Sequence, residues 1–83
     1  MTLEVSWSLS ALDHATGYLR DDPDGVEAVL DAAETLAHHP RQEPSTGLSS
    51  PELRRLRVGR YRLLYEVDDE QQRVVVVHLG RLG

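Results

Sequence analysis

The chain has 83 residues, nine arginines but no lysine, no cysteine, and a formal net charge of −5. This length carries one modest core, so residues 1–83 are expected to form a single domain; the missing cysteines exclude a disulfide framework and a thiolate metal site, and no apolar run reaches the ~20 residues of a membrane helix. The acidic balance argues against strong non-specific nucleic-acid binding, but it is uneven: nine acids face two arginines through Ser50, whereas Pro51 onward holds seven arginines and five acids.

The opening MTLEVSWSLS lacks the basic start and long apolar stretch of a secretory signal, so a soluble cytoplasmic protein with no membrane partner is expected. From Thr2 to Trp7, Leu3, Val5 and Trp7 alternate with polar residues, the period of a half-buried strand. Ser8 and Ser10 offer helix caps, and Ser10 with Asp13 has capping-box spacing ahead of Leu12, Ala15 and Leu19. A helix over about Leu9 to Arg20 follows. Asp22-Pro23-Asp24-Gly25 combines a turn with a helix start, because proline fits the first turn and acids favour the positive end of the helix dipole. The second helix should run to about His38, with Val26, Val29, Leu30, Ala33, Leu36 and Ala37 on its inward stripe. His38 and His39 then complement its C-terminal end.

Pro40 to Glu52 holds three prolines, a glycine and several serines, and is expected to be a loop without regular structure. Three strands follow, over Leu53–Val58, Tyr61–Asp68 and Val74–Leu79, joined around Val58-Gly59 and around Asp69-Glu70-Gln71-Gln72. The order β-α-α-β-β-β gives an α+β fold, with two helices on one face of an antiparallel sheet and the other face partly open.

Side-chain alternation assigns Tyr61, Leu63, Tyr65 and Val67 to the core with Leu56 and Val58. Arg55, Arg57 and Arg62 then converge on the open face, where guanidinium groups suit phosphate or carboxylate. The arginine bias is equally explained by genomic composition. Glu66 shares the face of Arg62 and offers it an ion pair, an alternative to any catalytic use. Arg54, Arg60 and Arg73 read as solvated strand-edge charges, and Tyr61, Tyr65 and Trp7 as core.

The stretch LRRLRVGRYRLLYEVDD followed by VVVVHLG resembles the RelE/ParE superfamily of bacterial type II toxins. A basic strand, a short turn, a Tyr-Arg-aliphatic-aliphatic-Tyr strand and a valine-rich strand ending in glycine form that pattern, and the element order covers the chain. The resemblance implies a toxin neutralised by a cognate antitoxin, with DNA reached only through that partner and no cofactor. RelE-type members cleave mRNA on the ribosome, whereas ParE-type members inhibit DNA gyrase. The matching basic positions, Arg55, Arg57, Arg62 and Arg81, favour the RelE type. The alternative is a non-nuclease binding module, either a gyrase inhibitor or a degenerate toxin that retains only antitoxin binding. RelE-type members continue past the glycine to a tyrosine or histidine, which has no counterpart in a sequence that reads Gly80-Arg81-Leu82-Gly83.

Cleavage by the RNA's own 2′-hydroxyl requires alignment, charge stabilisation on the phosphorane, and proton movement. Arginine serves the second task and not the third, because guanidinium stays protonated. Proton movement falls to His78, Glu66, a tyrosine or the ribosome. His78 is suited to it if it faces Arg62, which strand parity does not fix; otherwise it is a packing or sheet-surface histidine. No metal site is expected.

Overall fold

In the computed structural model, which describes residues 2–40, 46–47 and 52–82, the elements run β1 (Glu4–Trp7), α1 (Leu9–Asp21), α2 (Pro23–Thr35), β2 (Thr46–Gly47), β3 (Leu53–Val58), β4 (Tyr61–Asp68) and β5 (Arg73–Arg81). The sheet order is β1-β5-β4-β3-β2. β2 to β5 pair antiparallel, but β1 lies parallel to β5, matching Glu4 with Arg73 and Trp7 with Val76. The expected antiparallel sheet is therefore mixed. Alternation fixes which faces a strand presents and says nothing of a neighbour's direction, so this pairing was not readable in Thr2–Trp7.

The hairpin between β3 and β4 turns through Gly59, whose φ of +58° is the left-handed conformation that glycine adopts without strain at the head of a two-residue turn. Between β4 and β5, Asp68 accepts a hydrogen bond from the Gln71 N–H at 3.1 Å and Gln72 takes a positive φ of 57°. Part of the expected loop is also a strand: Thr46 and Gly47 pair with Arg55 and Arg54. The rest of that loop, residues 41–45 and 48–51, lies outside the described residues.

Ser8, rather than Ser10, caps α1, accepting the Ala11 N–H at 3.1 Å. The helix meets the core through Ala11 and Ala15, small enough for close approach, while Leu12 and Leu19 are 45% and 49% exposed. In α2, Val26, Val29, Ala33 and Leu36 are buried as the stripe requires, Leu30 is exposed, and Ala37 is half-buried. The helix ends at Thr35, short of His38, with a turn in which the Leu36 and His38 N–H groups reach carbonyls three residues back. Against these helices the sheet buries Leu56, Tyr61, Leu63, Tyr65, Val67, Val74, Val76 and Leu79 in one cluster. No described helix is long and apolar enough to cross a membrane.

Candidate functional site

The face of the sheet turned away from the core carries two cross-strand rows. Arg55 of β3 opposes Leu64 of β4, which opposes His78 of β5; one step along, Arg57 opposes Arg62, which opposes Gly80. Arg55, Arg57, Arg62 and His78 are all exposed. The alternation thus brings the three expected arginines to one face. Arg57 and Arg62 stand directly opposite, an arrangement of like charges that costs stability. Among the described residues, Arg55, Arg57 and Arg62 have no ion-pair partner. The expected Glu66 partner of Arg62 lies instead toward the other end of β4, lining a second depression with Glu52, Asp68, Asp69 and Glu70.

His78 reaches this face through a bulge. Val74 and Val76 point into the core, and unbroken alternation would send residue 78 there too. Instead Leu64 pairs with His78 while Tyr65 pairs with Val76, leaving Val77 as an extra residue that reverses the remaining parity. Ser8 pins the bulge from the neighbouring edge: its N–H donates to the Val76 carbonyl at 2.8 Å and its hydroxyl to the Val77 carbonyl at 3.2 Å. The residue that starts α1 therefore also fixes the irregularity that turns His78 outward.

The same parity change turns the Arg81 guanidinium to the helix side. Opposite Tyr61, it lies on the helix side, with its guanidinium 4.6 Å from the centre of the Tyr18 ring and 3.4 Å from the Asp21 carboxylate. The Tyr61 hydroxyl first, and Asp21 after it, hold this guanidinium above its already high ordinary value. Arg81 thus borders the same depression as Arg55 and Arg62 while its guanidinium braces α1 against the end of the sheet. Arg60, expected as a solvated edge charge, reaches the Asp22 carboxylate at 3.4 Å.

Arg55, Arg62, Leu64, His78, Gly80, Arg81 and Leu82 border a shallow depression of about 420 Å³. Arg57 stands beside it rather than in its wall. The shape and charge fit an extended anionic chain laid across the strands, with phosphate oxygens meeting guanidinium groups and an imidazole within the same concavity. Sequence reasoning missed His14, whose ring on α1 lies 5.0 Å from that of His78 at 81°, an edge contact. No strand periodicity signals it, because it arrives from a helix running beside the C-terminal half of β5, beyond the reach of β1. Among the described residues no group of three or more metal-ligating side chains is present.

No curated protein sequence matches the chain. Among solved structures, the RelBE2 toxin-antitoxin complex of Mycobacterium tuberculosis is similar with a TM-score of 0.82 at 25% identity, covering 99% of this chain and 100% of that one. The RelE-RelB complex of Pyrococcus horikoshii has a TM-score of 0.83 at 19% identity over 100% and 98% of the two chains. The YoeB/ParE toxin of Agrobacterium tumefaciens scores 0.81 at 21% identity over 98% and 100%. These likenesses agree with the α+β architecture. The sequence profile of the ParE toxin of type II toxin-antitoxin systems, parDE, matches residues 5–81, so the chain belongs to that family, within the RelE/ParE superfamily of type II toxins.

Proposed function

We propose that this toxin is a ribosome-dependent mRNA endoribonuclease that acts in the cytoplasm and is silenced by a cognate antitoxin. The observation that carries the reading is the pair Arg57 and Arg62, opposed across β3 and β4 beside Arg55 and His78 and without an ion-pair partner among the described residues. Folding alone would favour a counter-charge or a neutral residue at one of these positions. A site for phosphate explains why neither is there.

In this reading the 2′-oxygen of the mRNA bonds to phosphorus and the bond to the 5′-oxygen of the next nucleotide breaks, leaving a 2′,3′-cyclic phosphate and a 5′-hydroxyl. One proton leaves the 2′-hydroxyl and one reaches the departing oxygen. Arg55, Arg57 and Arg62 stabilise the extra charge on the phosphorane. His78 handles one proton: Glu66 lies with the acidic cluster further along the sheet, Tyr61 and Tyr65 are buried, and Tyr18 lies under the Arg81 guanidinium on the helix side. The ribosome aligns the mRNA and water carries the second proton. Arg81 contributes by holding α1 in place.

Inhibition of DNA gyrase is the second reading, favoured by the match to the ParE profile over residues 5–81. The deciding experiment incubates purified toxin with a defined mRNA on stalled ribosomes, beside the Arg57→Ala/Arg62→Ala double variant and a ribosome-free control, with gyrase-dependent DNA breaks scored in parallel. Ribosome-dependent cuts that disappear in the double variant support the nuclease. Intact mRNA with folded wild-type protein refutes it, and gyrase-dependent breaks then identify the second reading.

A further inference from the structure

We propose that His14 is a positioning residue, whose ring fixes the His78 imidazole over Gly80 on the side of Arg62. The inference rests on the reading of His78 as the proton-handling group. A histidine on the open surface of a strand samples several rotamers unless something confines it. His78 is confined on two sides. Its ring meets that of His14 edge-on at 5.0 Å. Its Nε2 lies so close over Gly80 that a Cβ there would stand 3.3 Å from it, with Cδ2 at 3.8 Å. Gly80 is the cross-strand partner of Arg62, so the space left by its missing side chain directs the imidazole tip toward that guanidinium.

The attachment of His14 is equally specific. Ser8 anchors α1 to the bulge at Val76 and Val77, and Tyr18 and Asp21 anchor it to Arg81, with His14 between them. The charged groups around His78 are Arg55 from β3 and Arg62 from β4, with the His14 imidazole beside it from α1, while the Arg81 guanidinium is turned toward Asp21. The Nδ1 atom of His14 is buried with no hydrogen-bond partner among the described residues. The ring's surface, rather than a bond from that nitrogen, therefore does the holding. Phenylalanine is the replacement that separates the two possibilities.

The test compares wild type, His14→Phe and His14→Ala, with His14→Leu carrying the comparison if the alanine variant fails to fold. Two readouts are taken: nuclear Overhauser contacts between the His78 ring protons and the Gly80 α protons, and kcat and KM for mRNA cleavage on ribosomes. The expected result is that His14→Ala or His14→Leu loses the Gly80 contacts and lowers kcat by about tenfold to a hundredfold with KM retained, the scale of a misplaced reacting group. His14→Phe restores both. Gly80 contacts unchanged in His14→Ala or His14→Leu overturn the proposal, as does a His14→Phe variant impaired as severely as the smaller one. If wild type cuts no mRNA, the nuclease reading fails, and the Overhauser contacts alone decide the role of His14.

Discussion

Asp22 joins three parts of the molecule through one carboxylate. As the cap of α2 it accepts the Gly25 N–H at 3.1 Å, and it also accepts the Tyr61 hydroxyl at 2.9 Å and an Arg60 N–H at 3.4 Å. The Tyr61 hydroxyl above all, then the Gly25 N–H and Arg60, hold its pKa below the usual carboxylate value. A depressed folded-state pKa contributes stability that is present above the unfolded value of ~3.9 and is lost as pH falls through the folded one. Acid titration of the unfolding free energy should therefore show a loss from about pH 5 downward that is smaller in Asp22→Asn. An equal slope in both proteins would rule the carboxylate out. Gly25 is tied to the same contact, since a Cβ there would lie 2.1 Å from Asp22 Oδ2 and 2.9 Å from the Tyr61 ring. Gly25→Ala, which gains up to ~1 kcal/mol of helix propensity, should nonetheless destabilise by roughly 1–3 kcal/mol in a denaturant melt. The turn at Asp22 was legible from Pro23 and Gly25; its bond to Tyr61, 39 residues away, was not, because nothing local in either segment encodes the other.

At the scale of elements, the strands were more legible than the helices' inward faces. Tyr61, Leu63, Tyr65 and Val67 are buried as strict alternation demands. In α1 the inward face was not legible in the sequence: the helix packs through the small residues Ala11 and Ala15 while Leu12 and Leu19 are exposed. Leu36→Ala, at a fully buried position, should cost about 2–5 kcal/mol, whereas Leu9→Ser, at a position 82% exposed, should stay within about 0.5 kcal/mol of wild type. Similar losses in thermal melts would mean that α1 is wrongly oriented. The bulge at Val77 was invisible in a run of four valines, since the sequence VVVV fits either parity. Ser8 supports it from outside the strand, so Ser8→Ala should cost about 1–2 kcal/mol by losing a cap and a bond to the bulge. The same variant should broaden the His78 resonances; unchanged resonances would separate the cap from the site.

Across the whole molecule, charge is sorted in part: Asp13, Asp21, Asp24, Glu27, Asp31 and Glu34 lie on the helices, whereas Arg55, Arg57 and Arg62 lie on the open face of the sheet. That face was legible because side-chain period and strand pairing both preserve it. The direction of the Arg81 guanidinium was not legible, because one inserted residue exchanged the faces of everything after it. The opposed arginines are expected to oppose folding slightly. The Arg57→Ala/Arg62→Ala variant should therefore melt at or above the wild-type temperature, with a gain of up to about 1 kcal/mol at low ionic strength that shrinks as salt is added. Loss of activity together with a lower melting temperature would assign these residues to the scaffold instead.

β5 stands between β1 and β4, so the earliest strand in the sequence finds its partner only in one of the latest. During synthesis β1 must wait, with both edges unpaired, until Arg73–Arg81 has emerged, and the same stretch brings His78 and Gly80 to the basic face. One stretch of chain thus completes the fold and the depression together, so a chain that has not yet reached it lacks both.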